Sequence, residues 1–522
     1  MNDAARLEAH LVGVVRRPPR WYPLAVAVLA GIAAWGFYAW TVQYRVGLGV
    51  TGLHNRVPWG FYIINFVFLI GISHAGTLVS AILRITGAEW RRPITRMAEV
   101  ITVVALMTGA AMVVVDMGRP DRLLNLVRYG FGRLSSPIIW DVLSVSTYLV
   151  GSLIYLYIPL IPDLALLYER LDPNAPAWQR WLYRTLSMGW QGTPRQRARL
   201  ERVLAIMAVL IIPIAVSVHT VVSYVFSMTL RVGWHSSIFG PYFVVGAIFS
   251  GIAGIIAAMA VFRRIYRLEA WITEDHFRKL GWLLLALNLI YLYFTFSEYL
   301  TIGYQPDEAE AALLQMLFSG AYGRLFWLVV IGGLVTPALL IILPSMRFLR
   351  RLATVPVLRP IPVALAAASV AGSIVIFRVL GLPGPSAALP GWLSWEFLRW
   401  PLFGLGGVLV LSLIPVLQAR LVTSLVIASL LINVGMWLKR YLIVVPSLNV
   451  AQTPIEAIAY HPTWVEWSIL AGTFAGFALL YLIFSRVFPI ISLWEVREAA
   501  TADQPETSRE GPSLAAEGGI SP

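Results

Sequence analysis

The chain is dominated by long apolar stretches that are separated by short polar segments. A helix rises 1.5 Å per residue, so about 20 mostly apolar residues cross the roughly 30 Å hydrocarbon core of a bilayer. The stretches of this length are 24–43, 57–85, 96–117, 137–161, 203–228, 240–262, 280–302, 322–346, 421–445 and 464–488. Two shorter stretches, 361–380 and 401–418, are rich in glycine and proline, and we interpret them as an inserted helix pair or a re-entrant element. The pattern predicts an all-α polytopic membrane protein with about 10–12 transmembrane helices.

The composition agrees with this prediction and excludes several classes of protein. Of the 522 residues, 58% are hydrophobic and 13% are charged, whereas soluble domains carry about 25% charged residues. So little charge could not cover the surface of a water-soluble globule. The chain has no cysteine, which excludes disulfides, thiolate metal sites and iron–sulfur clusters held by this chain alone. The stretch 24–43 is too long for the apolar core of a cleavable signal, so we expect it to be retained.

The positive charges indicate the orientation in the membrane. Most of the 40 Lys and Arg residues fall in the N-terminal segment and in alternate loops, while the loop 303–321 contains three acids and no basic residue. By the positive-inside rule, both termini are expected in the cytoplasm of a bacterium whose inner membrane holds the protein. Residues 1–23 would form a cytoplasmic N-terminus and residues 491–522 a disordered cytoplasmic tail. The net charge of +13 lies in short clusters, which suit anionic lipid headgroups rather than nucleic acid.

The candidate functional residues are the ionisable groups that interrupt the apolar stretches. A charge at the centre of a transmembrane helix costs about 2.5–3.5 kcal/mol on insertion scales, so such residues need a reason to be there. They are His74, Glu99, Asp116, Asp141, His219 and Glu298. Most of them are predicted at mid-depth or in the half of the membrane away from the termini, where carboxylates and imidazoles could accept protons from a reduced quinone. The structural alternative is that each one satisfies a neighbouring helix or lies at headgroup level.

Two further features bear on the choice of chemistry. The segment Asp116–Arg122 reads DMGRPDR, a helix stop that forms either a loop salt-bridge cluster or the rim of a pocket for a lipid substrate. Two b-type haems would need about four histidines within the membrane, and His74 and His219 are the two that fall inside predicted spans. We therefore expect no haem, no iron–sulfur cluster and no metal site in this chain.

Several of these motifs carry a family resemblance. The segment DMGRPDR resembles the Asp-x-Gly-Arg-Pro signature of the NrfD/polysulfide reductase (PsrC-like) membrane-subunit family. The stretches PWGFYIINFVFLIGISHAGT, GWHSSIFGPYFVVGAIFSGIAG, SEYLT, NVGMWLKRYLIVVPSL and HPTWVEWS are similar to its longer branch, typified by the ActC subunit of alternative complex III. The resemblance covers about residues 20–346 and 421–495. The chain departs from the branch at Asp116, where the branch often has His, and at Lys439, where it often has Glu.

The resemblance implies two four-helix bundles plus flanking helices. The corresponding segments are 24–228 for the first bundle with its quinol site, 229–346 for part of the second bundle, 347–420 for a possible inserted helix pair, and 421–490 for the end of the second bundle and the last helix. It also implies that the chain belongs to a quinol oxidoreductase complex and is not active alone.

The resemblance implies roles for individual residues as well. Asp116, Asp141 and His74 would bind menaquinol and accept its protons, with Arg119 beside them, while His219 and Glu298 would belong to a proton pathway. Electrons would pass to an extracytoplasmic iron–sulfur subunit of the molybdopterin-enzyme type. The remaining partners would be c-type cytochrome subunits, other membrane subunits and lipid.

Two alternatives stay open from the residues. A secondary transporter would bind its substrate at the midplane between inverted repeats, and the stretch GLPGPSAALPG at 381–391 could be a broken helix of that kind. No inverted repeat is evident, however, and the acids gather on one side. The other alternative is a paralogous anchor subunit of the same complex that binds no quinone.

Overall fold

A computed structural model describes residues 3–16, 18–129, 132, 134–173, 175–229, 231–345, 420–450 and 459–502. The helices are α1 (Asp3–Arg16), α2 (Tyr22–Val46), α3 (Phe61–Ile85), α4 (Arg92–Asp116), α5 (Leu123–Tyr129), α6 (Pro137–Tyr157), α7 (Leu160–Glu169), α8 (Ala177–Leu186), α9 (Pro194–Ser227), α10 (Phe239–Ile265), α11 (Glu274–Tyr304), α12 (Glu308–Phe318), α13 (Gly323–Trp327), α14 (Thr336–Ser345), α15 (Leu421–Asn449), α16 (Trp464–Val487) and α17 (Leu493–Ala502).

The transmembrane prediction is confirmed for all ten of the longer stretches. Ten helices are long and apolar enough to cross a membrane among the described residues, and each one overlaps a predicted stretch. The eighth is continuous from α13 to α14 through a π-helical segment, Leu328–Val335. Pro337 contributes to this segment because it has no N–H to offer to the preceding turn. The shorter stretches 361–380 and 401–418, and most of the predicted insertion 347–420, lie outside the described residues.

The spans form two four-helix bundles with a flanking pair, as the resemblance implied. Helices α3, α4, α6 and α9 pack together as the first bundle. The second bundle contains α10, α11, the α13–α14 span and α15, and the two bundles meet where α3 packs against α10. Helix α2 lies outside the first bundle, although the predicted segment 24–228 included it, because its partner is α16.

Small residues allow several helices to cross at close range. Gly36 of α2 lies directly against Gly472 of α16, where an added Cβ would come within 2.7 Å of the facing Cα. Gly333 of the π-helical segment meets Gly435 of α15 in the same way. Without a hydrophobic driving force between helices in lipid, this close backbone approach maximises van der Waals contact.

Consecutive spans run in alternate directions, so the described helices have two ends. We call the end where α2 begins and α16 finishes the terminal face, because α1 and α17 also lie there and pack against each other. We call the other end the opposite face. The tail predicted as disordered from 491 onward begins instead with helix α17, in which Glu495 is 3% exposed. Its polar composition suggested disorder, but Glu495 is held by ion pairs with Arg84 and Arg91.

Candidate functional site

The centre of the first bundle holds a buried histidine pair. His74 of α3 and His219 of α9 are 1% and 0% exposed, and their ring centroids are 4.7 Å apart in an edge-to-face arrangement. His74 Nδ1 lies 2.5 Å from the carbonyl oxygen of Ile70. Because a carbonyl can only accept, Nδ1 carries the proton and Nε2 presents a lone pair. Both histidines are predicted from the sequence to be functional, but in separate roles, and the structure brings them together.

Three ring nitrogens of this pair have no hydrogen-bond partner among the described residues. They are His74 Nε2 and both nitrogens of His219. The carbonyls of Ala215 and Phe243 lie nearby without completing hydrogen bonds of normal geometry. Buried polar atoms are normally paired. These ring nitrogens are exceptions, and an unpaired ring nitrogen can accept or donate a proton.

A line of polar side chains runs from this pair toward the terminal face. We call it the polar column; it consists of Ser73, His74, Thr77 and Ser80 on α3, Glu99 and Thr102 on α4, and Tyr148 and Tyr155 on α6. The spacing of three or four residues on α3 places its members on one side of that helix.

Hydrogen bonds link neighbouring members of the polar column. The Thr102 hydroxyl donates to the Ser73 carbonyl at 2.7 Å and accepts from Thr77 at 3.1 Å. Nearer the terminal face, the Ser80 hydroxyl donates to Glu99 Oε1 at 2.9 Å and lies 3.2 Å from the Tyr155 hydroxyl. The centroid of the Tyr148 ring lies 4.8 Å from that of His74, so the column reaches the histidine pair from two helices.

The column ends in buried ion pairs at the terminal face. Arg96 lies between Glu99 and Asp163, with its Nη2 donating to Asp163 Oδ2 at 3.0 Å and its Nε 3.8 Å from Glu99 Oε2. Burial raises the pKa of Asp163 to about 6, against the opposing effects of Arg96 and of the Trp494 N–H. Asp163 also lines a polar cavity of about 430 Å³ between α7 and α17, so water on this side has access close to the column. The sequence pointed to Glu99 but not to Arg96 or Asp163, because Arg96 stands at the very start of the stretch 96–117 and Asp163 falls just after the stretch 137–161.

Asp116 and Asp141 lie toward the opposite face of the first bundle. Asp116 is the last residue of α4, Asp141 is in the second turn of α6, and both are half-buried. Each carboxylate has a buried Oδ1 without a hydrogen-bond partner among the described residues. Helices α4 and α6 pack against each other, but no contact joins the two carboxylates within the part of the chain that is described.

Arg119 does not contact Asp116 or Asp141. It is exposed, and its guanidinium forms a bidentate pair with Asp121 at 2.9 and 2.8 Å. That pair holds the pKa of Asp121 below its ordinary value. The predicted turn after Asp116 is therefore a loop salt bridge, which was the plainer of its two interpretations.

A network near Asp116 was missed by sequence analysis. Tyr62 donates to Gln43 Oε1 at 2.6 Å, and Gln43 Nε2 donates to the carbonyl of Val115, the residue before Asp116. Glu466, which is 0% exposed, accepts from the Tyr460 hydroxyl at 2.5 Å and from the Gly52 N–H at 2.7 Å. A glutamine inside the first apolar stretch was the available signal, but an uncharged residue does not stand out by its insertion cost.

Glu298 belongs to a different place from the histidines. It lies on α11 of the second bundle, near the opposite face, and its buried side chain has an Oε2 without a hydrogen-bond partner among the described residues. Lys439 of α15 is buried nearby, donates to the Tyr299 hydroxyl at 2.8 Å and lies over the Tyr242 and Tyr299 rings. The resemblance implied that His219 and Glu298 belong to a proton pathway, and the structure places the two residues in separate bundles.

The described residues also bear on bound groups. Among them, no three His, Cys, Asp or Glu side chains are grouped so as to hold a metal ion. An apolar groove of about 690 Å³ lies between the flanking pair and both bundles and includes Phe68, Trp437 and Phe474 in its lining. Neither this groove nor the cavity beside Asp163 is lined by Asp116, Asp141 or His74.

Comparisons with known proteins agree with this architecture. An Hdr-like menaquinol oxidoreductase integral membrane subunit of Archaeoglobus fulgidus is 27% identical over 330 residues, which are 62% of this chain and 72% of the relative. A selenate reductase subunit of Mesobacillus selenatarsenatis is 24% identical over 330 residues, 61% of this chain and 74% of the relative. Both names describe subunits of oxidoreductases.

A family model covers most of the region in which the two bundles lie. Residues 49–365 match the model of the polysulphide reductase NrfD family, and ten apolar helices are those of a multi-pass membrane protein. The match includes α3, α4, α6 and α9 with both histidines of the buried pair, and it confirms the predicted family. The chain therefore belongs to the polysulphide reductase NrfD family.

Proposed function

We propose that this chain is the membrane subunit of a quinol oxidoreductase complex that binds and oxidises menaquinol and conducts the protons released. The name of the Archaeoglobus fulgidus relative supports menaquinol as the reactant. The motif resemblance supports an extracytoplasmic iron–sulfur subunit as electron acceptor, with c-type cytochromes beyond it, as in the ActC-like branch.

The observation that carries the proposal is the pair of incompletely bonded carboxylates in one bundle. Asp116 and Asp141 each keep a buried oxygen without a partner at the same end of two packed helices. A buried acceptor without a donor costs about 1–3 kcal/mol, and a quinol hydroxyl is a donor that would satisfy it. Oxidation of the quinol to the quinone releases two protons and two electrons, and in this proposal the two carboxylates accept the protons. The two electrons leave for the partner subunit.

The polar column supports proton conduction by the same bundle. Side chains that both donate and accept form two hydrogen-bonded groups along the column, one around Glu99 and one beside His74. Chains of Asp, Glu and His within membranes are typical of proton relays. With both termini in the cytoplasm, as the charges predict, the column would open to the cytoplasm and the quinol site would face the other side of the bacterial inner membrane.

The test is the oxidation of menaquinol by the assembled complex that carries Asp116→Asn or Asp141→Asn. An amide preserves shape and hydrogen bonding but cannot take a proton, so we expect turnover to fall by about 100-fold or more. Assembly, measured by co-purification of the partner subunits, should be retained. Glu308→Gln is the matched control, because Glu308 is an exposed acid on the same face. Unchanged turnover in both variants would instead support an anchor subunit that binds no quinone.

A further inference from the structure

The junction between the two bundles contains a buried guanidinium. Arg440 of α15 is 5% exposed and donates to the carbonyls of Met436 at 2.9 Å and Gly246 at 3.3 Å. It also reaches the Ser250 hydroxyl at 3.5 Å, and its guanidinium lies 5.9 Å from the centre of the Phe68 ring on α3. Arg440 therefore joins α15 to α10 and touches the first bundle.

This positive charge has neutral partners. No carboxylate lies within ion-pair distance of Arg440 among the described residues, so its charge is solvated by carbonyls, a hydroxyl and an aromatic face. A charge held at this depth without a counter-ion is costly. Helix α3 nevertheless makes room for it: a Cβ on Gly71, one turn before His74, would lie 3.2 Å from Arg440 Nη2. A costly charge that is accommodated by its neighbours indicates a function.

Titratable groups lie on both sides of Arg440. Its charge is close enough to act on His219 in the first bundle and on Lys439 in the second. The titratable groups around it are His74 on α3, His219 on α9, Tyr242 on α10, Tyr291 and Glu298 on α11, and Lys439 on α15. A proton that moved from the histidine pair toward Glu298 would approach a fixed like charge.

We propose that Arg440 is an electrostatic barrier that keeps protons of the first bundle from passing into the second. Fixed cations exclude protons from membrane pores by this physical effect. The residue acts through its charge and does not contact the quinol. The inference rests on the proposed proton route through the first bundle. It adds that the histidine pair of the first bundle is insulated from Glu298 and Lys439 in the second.

The experiment compares Arg440→Gln and Arg440→Lys in the complete complex, reconstituted in liposomes with a trapped pH indicator. Without quinol, we expect Arg440→Gln to raise the passive proton leak about tenfold, whereas Arg440→Lys, which keeps the charge, stays near the wild-type rate. The pH profile of quinol oxidation should shift toward alkaline pH in Arg440→Gln alone, because the histidine pair then holds a proton more easily. If Arg440 had a purely structural role, both variants would lose stability, and the pH profile of quinol oxidation would not shift in either.

The outcomes separate this inference from the proposed function. A leak and a pH profile that are the same in Arg440→Gln and wild type would overturn the barrier, even if Asp116→Asn abolishes turnover. If Arg440→Gln does not assemble, Arg440→Met supplies the same loss of charge with an apolar side chain. A leak that rises equally in Arg440→Lys also contradicts the proposal.

Discussion

Unpartnered polar atoms mark the functional region at the scale of single residues. Each buried donor or acceptor without a partner costs about 1–3 kcal/mol, and the first bundle contains several of them at His74, His219, Asp116 and Asp141. A fold could remove that cost by placing apolar residues at these positions. The polar residues are retained, which agrees with side chains that form hydrogen bonds to a substrate or to one another during part of a reaction cycle.

Glu99→Gln tests whether the polar column carries protons. Glutamine keeps the acceptor for the Ser80 hydroxyl but does not titrate, so we expect quinol oxidation to persist while proton release at the terminal face falls about fivefold. Proton release per quinol at that face is measured with a pH-sensitive dye on the reconstituted complex. Glu89→Gln is the control, since Glu89 is an exposed acid at the start of the same span. Equal loss in both variants would exclude the column as the route.

Sequence could predict the types of the site residues but not their grouping. The cost of burying an ionisable side chain identified His74, Asp116, Asp141, His219 and Glu298. Position along a stretch gives depth, whereas the direction in which a side chain points depends on helix rotation and packing. For this reason three features required the structure: the contact of His74 with His219, the location of Glu298 in the other bundle, and the exposure of Arg119.

At the scale of helices, the crossing of α2 with α16 depends on two glycines. Gly36→Ala or Gly472→Ala would push the backbones apart, because the facing Cα lies 2.7 Å from the added methyl position in either case. We expect the midpoint of thermal unfolding in detergent to fall by several degrees, as for a loss of about 1–3 kcal/mol by overpacking.

Matched controls lie on the same two helices. An added Cβ meets nothing within 4 Å at Gly31 of α2 or at Gly476 of α16. Gly31→Ala and Gly476→Ala should therefore leave the unfolding midpoint unchanged or raise it slightly, because alanine favours the helix. A fall of equal size in all four variants would mean that helix propensity, and not the crossing, controls stability.

The helices themselves were largely predictable. Apolar length located all ten spans among the described residues, because a backbone in lipid must satisfy its own hydrogen bonds and a helix does so. The start of α9 at Pro194, rather than near 203, follows from a Thr193–Gln196 capping box that begins the helix in an arginine-rich segment. Helix α17 could not be predicted from its composition, since tertiary ion pairs of Glu495 hold it in place.

At the scale of the whole molecule, the two faces should lie in different compartments. The chain has no cysteine, so a single introduced cysteine reports its own side of the membrane. In intact cells, a membrane-impermeant maleimide should label Glu308→Cys on the opposite face but not Trp178→Cys on the terminal face, and permeabilisation should expose both. Both side chains are exposed in the fold. Labelling in the reverse order would place the termini outside the cytoplasm.

Helix α3 has a consequence for how the protein is made. It is the most enclosed of the described spans, with contacts to α4, α9 and α10, and it holds His74 and an Asn65 side chain without a partner. Its neighbour α10 is complete only when residue 265 has been synthesised. At about 5–20 residues per second, the ribosome needs roughly 10–40 s to synthesise the chain between the end of α3 and the end of α10. During this time the polar side of α3 has to be sheltered by the insertion machinery or by water, so biogenesis of this protein depends on a delay between insertion and packing.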